Sequence, residues 1–209
     1  MIPIRTEMRA GARSDSIRDE QVRTLVQQLF FRPESGLVRN VGFTSVEASP
    51  QTALLCLDVA RAVAAEGRVE VGLIDASFDA VPLERQLRIQ SPAQSQVTWP
   101  VCSRVWLVPR RNWWCEGNSQ TITDQDLAKL CEFMTEFDFS ILHCASVSSL
   151  TARIGRRCDG LVLVLTANKT RRLAAAQVRD RLRKIQVPLL GTVLADRRFP
   201  VPEGLYRSL

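Results

Sequence analysis

Six short apolar runs, at 38–44, 69–74, 105–108, 139–144, 161–166 and 189–194, restrict this chain to very few folds. The fifth, Leu161-Val162-Leu163-Val164-Leu165, has no polar alternation, which marks a strand buried on both faces. Helix-like segments at 54–66, 127–135 and 171–185 lie between the runs. A further helix precedes them, with Val22, Leu25, Val26, Leu29 and Phe30 on one face. Strands that alternate with helices are joined by right-handed crossovers into a parallel sheet covered on both sides. The expectation is a doubly wound, mainly parallel α/β domain over 15–209, preceded by a flexible arm at 1–14. Residues Ser14 to Ser16 can cap the first helix and Pro33 ends it. Gly67 suits the C′ position of the second helix, and Thr123 with Asp126 forms a capping box. The segment 76–98 reads as loop with one short helix near 83–87.

At 209 residues there is enough chain for one substantial core, and no apolar run approaches the ~18 residues that span a bilayer. Met1-Ile2-Pro3-Ile4-Arg5 has no signal-peptide core, so the expected compartment is the cytoplasm. Six cysteines, at 56, 102, 115, 131, 144 and 158, include no C-x-x-C pair, and the single histidine cannot complete a zinc set with a local pair. Reduced, mostly buried cysteines and no metal are expected. The net charge of +6 comes mainly from arginine, in clusters such as Arg110-Arg111, Arg153 to Arg157 and Arg179 to Lys184. These clusters fall on separate segments and lack interleaved aromatics. That favours solvated faces over a nucleic-acid surface, and leaves an acidic partner or anionic lipid headgroups open.

The first strand and second helix flank the stretch Thr44-Ser45-Val46-Glu47-Ala48-Ser49-Pro50-Gln51-Thr52-Ala53. This is the strand–loop–helix setting of a phosphate-binding loop, whose working form is G-x-x-x-x-G-K-S/T. The glycines of such a loop let backbone N–H groups converge on phosphates, the lysine reaches the β- and γ-phosphates, and the hydroxyl holds Mg²⁺. None of those residues is present here. Pro50 removes a further N–H and fixes φ inside the loop.

Thr44-Ser45, with Asp58-Val59-Ala60 thirteen residues on from Ser45, resembles the pattern T-S-A-x-P-G-E-G-K-S/T-T-x-A-x-N-L-A. That pattern belongs to the bacterial capsular and exopolysaccharide tyrosine kinases, relatives of the Min and Par ATPases. Glu20 to Leu25 is similar to the E-x-x-R-T-L start of that family's first helix. Val71 to Ala76 is similar to V-L-L-I-D-A-D, Phe137 to His143 to the Walker B strand F-D-Y-V-I-I-D, and Cys158 to Val164 to A-D-G-V-L-L-V. Arg198 to Glu203, then Tyr206, resembles the Pro-rich tail. The resemblance covers nearly the whole chain and implies the P-loop NTPase architecture.

On that register Ser49 and Gln51 stand on the two glycines, Thr52 on the lysine and Ala53 on the Mg²⁺-binding hydroxyl. His143 stands on the Walker B aspartate, and Ser77 on the second Asp of D-A-D; Asp75 alone is retained. Tyr206 is the one tyrosine, so the terminal cluster that active relatives phosphorylate is absent. Phosphoryl transfer rests on positioning and charge stabilisation. Each lost electrostatic donor costs ~10²–10³ in rate, and losing the metal removes a whole catalytic mode. The expectation is a vestigial nucleotide site at Ser49, Gln51, Thr52, Ala53, Asp75, Ser77 and His143, without catalysis, cofactor or metal. Weak ATP or ADP binding through hydroxyls and the helix N-terminus is the residual alternative.

The resemblance implies an adaptor or regulator in exopolysaccharide or capsule production, recruited to the inner membrane face. The partner it implies is the cytoplasmic tail of a membrane polysaccharide chain-length regulator. Partner contacts are expected at Trp113, Trp114, Arg110 and Arg111, since active relatives carry a loop around 110–118 and exposed Trp beside Arg favours interface hot spots. The other reading of the tryptophans is a loop folded back over the sheet edge. Glu20 and Arg23 on the first helix are candidates for self-association, although Val26 replaces that motif's second arginine. A Par-like cargo or nucleic-acid module, and a kinase with an unorthodox site, are the alternatives.

Overall fold

The six apolar runs become strands of one sheet, and a seventh strand joins them at an edge. In chain order the elements are α1 (Arg5–Phe30), β1 (Asn40–Ser45), α2 (Pro50–Gly67), β2 (Val71–Ala76), α3 (Leu83–Gln86), β3 (Trp99–Cys102) and β4 (Val105–Val108). A 3-10 turn (Arg110–Asn112) follows, then α4 (Asp124–Thr135), β5 (Phe139–Cys144), α5 (Ser149–Gly155), β6 (Gly160–Thr166), α6 (Arg172–Lys184) and β7 (Leu189–Ala195). The computed structural model describes residues 5–31, 37–78, 81–90, 97–114, 121–144 and 146–195, with backbone alone for 5–17. The strand order is β3-β4-β2-β5-β1-β6-β7. Every pair is parallel except β3 with β4. This is the doubly wound, mainly parallel α/β fold expected of the alternation.

Both sheet faces are covered, which is why β2 and β5 are buried along their whole length. On one face Val26 and Phe30 of α1 and Val59 and Val63 of α2 pack on Val41, Phe43 and Leu73. On the other, Leu130 of α4, Ile154 of α5 and Leu182 of α6 pack on Ile74, Leu142 and Leu161. Each such side chain contributes about 1.5–3 kcal/mol on burial. Close approach fixes Gly72, where a Cβ would sit 2.4 Å from the Phe137 ring.

Several boundaries differ from those expected. The backbone is already helical at Arg5, the first residue of α1. Arg5, Glu7, Met8, Arg9, Ala10 and Ala12 are good helix formers, and the segment continues an established helix. Gly67 remains helical, and Arg68 takes the left-handed C-cap position at φ 51°. Glycine is needed at 67 for space, since a Cβ there would lie 2.9 Å from Val69 Cγ2. β3 was not foreseen. It forms an antiparallel hairpin with β4, Arg104 taking φ 62° in the turn, and tolerates Pro100 because it is an edge strand. α5 was also missed, at seven residues too short to show a period, although Ser148 caps it. The expected capping box on α4 has both bonds, Asp126 N–H to Thr123 Oγ1 at 3.1 Å and Thr123 N–H to Asp126 Oδ2 at 2.8 Å. Among the described residues no helix is long and apolar enough to cross a membrane.

Candidate functional site

In a parallel sheet the ligand crevice lies beyond the carboxyl ends of the central strands. The neighbour order β2-β5-β1 brings the ends of those strands together, with Asp75 level with His143 and Ser45 two residues beyond Phe43 on β1. The register pairs Asp75 with His143, and His143 with Phe43. The sheet therefore sets Asp75 beside His143. Their bonding then decides what they can do.

The loop into α2 has no anion cradle. Ser49 is extended (φ −145°, ψ 127°) and caps the helix. Among the described residues none between Thr44 and Ala53 has positive φ, so successive N–H groups do not form the alternating turn of an anion nest. The free N–H groups that give a helix N-terminus its anion affinity are also spent. Pro50 has none, Gln51 N–H donates to Ser49 Oγ at 3.3 Å, and Thr52 N–H donates to the Ser49 carbonyl at 3.1 Å. The Thr52 and Ala53 side chains are each 1% exposed and belong to the protein interior. Thr52 Oγ1 is buried without a hydrogen-bond partner in the described structure.

Asp75 is fully buried, and both carboxylate oxygens accept internal hydrogen bonds. Its Oδ1 accepts Ser77 N–H at 3.0 Å and Ser77 Oγ–H at 2.7 Å. Its Oδ2 accepts Leu83 N–H at 3.0 Å, capping α3, whose own N-cap residue is Pro82 and has no side-chain acceptor. The Asp75 carbonyl accepts Trp113 Nε1–H at 3.0 Å, and the Ser77 carbonyl accepts an Arg110 N–H at 2.8 Å. The retained acid and the serine on the D-A-D position thus form a clamp joining β2, α3 and the turn after β4. His143 is closed in the sheet at 2% exposure, and Val147 N–H ties the loop after β5 to the Ser45 carbonyl at 3.2 Å.

These residues do not fit a magnesium nucleotide. The acid that would serve the metal already accepts three internal hydrogen bonds, the hydroxyl position is a buried alanine, and the loop offers no convergent N–H groups. Among the described residues no group of three or more His, Cys, Asp or Glu could hold a metal ion.

The described part of the tryptophan loop, 110–114, folds back onto the protein. Trp113 is fully buried, which removes it from the partner contacts expected of it. The reason is the Asp75 carbonyl, which gives the indole N–H an internal acceptor. Trp114 is half-buried, edge-on to Phe78 at 5.0 Å and beneath the Arg110 guanidinium at 5.2 Å. Arg110 is committed to the Ser77 carbonyl, and Arg111 lies over Trp99 at 4.7 Å and 3.8 Å from Glu84. Residues 115–118 of that loop, and Cys115 with them, lie outside the described residues, as do Tyr206 and the Pro-rich tail. Glu20 and Arg23 are exposed on α1, whereas Val26 is core, so the replaced arginine position faces inward.

The sequence reading missed the partners of the clamp, Leu83 N–H and Trp113. The spacing Asp75-x-Ser77 was a usable signal, since Asp commonly accepts the N–H two residues on. Three cysteines, Cys56, Cys144 and Cys158, are buried, and burial pushes each thiol well above its usual range. They are packing residues, as expected; Cys102 is exposed.

No protein-family model matches the sequence, and no curated protein matches it. Solved structures do. The chain is similar to the kinase domain of VpsO, with a TM-score of 0.67 at 13% identity over 88% of this chain and 98% of that one. It is similar to the kinase domain of the Escherichia coli tyrosine kinase ETK, with a TM-score of 0.65 at 15% identity over 88% and 79%. A ParA family ATPase from Chlorobium tepidum gives 0.59 at 15% identity over 75% and 73%. At such identities the likeness is one of architecture: this chain has the P-loop NTPase-like α/β fold that the tyrosine kinase domains and the ParA ATPase share.

Proposed function

We propose that the chain is a catalytically inactive counterpart of the tyrosine kinase domains it resembles, working as an adaptor in exopolysaccharide or capsule production. The observation that carries the reading is the Asp75 clamp. A carboxyl group that would hold a metal in an active relative accepts three internal hydrogen bonds instead. The spent N–H groups of α2 support the same conclusion for the phosphate side of the site. Association with a partner is then independent of nucleotide state. The partner is the cytoplasmic tail of a membrane polysaccharide chain-length regulator, engaged through exposed residues. Glu20 and Arg23 on α1 and the exposed rim of the loop at Arg111 are the contacts that burial leaves available. The chain works without ATP or Mg²⁺, at the inner face of the membrane.

The test is a calorimetric titration of the chain with the regulator's cytoplasmic tail, with and without Mg-ATP. Glu20→Ala, Arg23→Ala and Arg111→Ala are compared with the unchanged protein. Binding unaffected by ATP and weakened by at least one of these changes is expected. Affinity that changes with ATP would overturn the proposal.

A further inference from the structure

Between Lys169 and Lys184 the chain carries seven cations and one acid, Asp180, a net +6. That equals the formal charge of the whole chain, so the remainder is balanced. All seven cations are exposed. Among the described residues the ion pair in this segment joins Arg179 to its neighbour Asp180, both more than half exposed. Surface charge elsewhere is mixed, as at Arg18, Asp19, Glu20 and Arg23 on α1. The concentration on α6 is therefore not the ordinary solvated face of this protein.

The helix keeps the N-terminal part of this charge against its local interest. Lys169, Arg171 and Arg172 crowd the positive end of the α6 dipole, no acid stands in the first turn, and Arg171 supplies no side-chain cap. Arg179 and Arg183 repel at i, i+4. Packing offers little in return, since Leu182 alone of the thirteen α6 residues is fully buried. Arg181, Arg183 and Lys184 suit the negative C-terminal end of the dipole, but the cations at the N-terminal end have no such local compensation and point to an external counter-charge. The same region also exposes apolar side chains. Leu173 is 71% exposed at the start of α6, and Leu194 is 53% exposed near the end of the edge strand β7. α6 runs back from the carboxyl end of β6, and β7 is parallel to β6, so both leucines lie at one end of the sheet edge.

We propose that α6 is a docking surface for an anionic membrane, its arginines and lysines facing lipid headgroups and Leu173 entering the interface. Cations supply the long-range attraction, and an exposed leucine adds apolar contact that phosphate binding alone would not use. No aromatic side chain lies on α6 to stack on bases, which favours lipid over single-stranded nucleic acid.

The experiment is flotation of the full chain with vesicles of phosphatidylcholine alone and with one-third phosphatidylglycerol, at low and high salt. A duplex DNA titration runs in parallel. The expected result is binding to the anionic vesicles only, lost at high salt. The triple change Arg172→Gln, Arg179→Gln and Arg183→Gln should weaken it about a hundredfold, at about fivefold per cation. Leu173→Ser should weaken it less and leave the salt dependence intact, and Arg23→Gln on α1 should have no effect. All the altered side chains are exposed, and circular dichroism checks the fold. Equal binding to neutral vesicles, anionic binding insensitive to the α6 changes, or α6-dependent DNA binding with no vesicle binding would each overturn the proposal.

Discussion

Replacing Asp75 with alanine separates a structural clamp from a relic of catalysis. The carboxyl group accepts Ser77 N–H, Ser77 Oγ–H and Leu83 N–H, all inside the protein. The Ser77 hydroxyl can turn elsewhere, but the two backbone N–H groups would be left buried and unpaired. Each orphaned donor costs about 1–3 kcal/mol, so the expected loss for the two is about 2–6 kcal/mol. That is a large share of the ~5–15 kcal/mol that holds a domain of this kind together. Asp75→Asn keeps one acceptor and should lose about half as much. Urea unfolding followed by circular dichroism and by tryptophan fluorescence measures it. At an m-value of ~2 kcal/mol per molar, the alanine midpoint should fall by roughly 2 M with m unchanged. A midpoint that stays put or rises would refute the reasoning, because removing a carboxyl kept for chemistry leaves stability unchanged or improves it.

Trp113→Phe should lose about 1–2 kcal/mol, chiefly the hydrogen bond to the Asp75 carbonyl, and Trp113→Ala about 3–5 kcal/mol, in the same unfolding assay. Thr52→Val removes a buried hydroxyl with no partner and should raise stability by about 0.5–1 kcal/mol; a loss would mean that the hydroxyl has a use. Alkylation followed by mass spectrometry should label Cys102 in the native protein and Cys56, Cys144 and Cys158 only on unfolding. The folded thiol values of those three are raised, so the unfolded chain releases its protons first. Stability should be full below the ordinary thiol pKa of about 8.5 and decline as pH rises above it.

What the sequence made legible follows from which forces act locally. The strands Val105–Val108 and Phe139–Cys144 stand where continuous apolar runs put them, and the capping box at Thr123 holds because both partners sit within one turn. β3 was hidden because Trp99-Pro100-Val101-Cys102 has neither alternation nor a clean apolar run, and its pairing depends on β4. Asp75 and His143 are register partners on neighbouring strands, which the strand order fixes. Their present role was not legible. Whether Asp75 faces a metal or Leu83 N–H depends on a contact eight residues away, and the burial of Trp113, in the turn after β4, depends on an acceptor in β2.

The most direct measurement is equilibrium binding of ATP by calorimetry in the presence of Mg²⁺, paired with a steady-state phosphate-release assay on the same sample. No saturable binding tighter than about 1 mM and no turnover above background are expected. Saturable micromolar binding that requires Mg²⁺, with turnover at the ~1–100 s⁻¹ of ordinary kinases and its loss in Asp75→Asn, would contradict the reading of this site as a clamp.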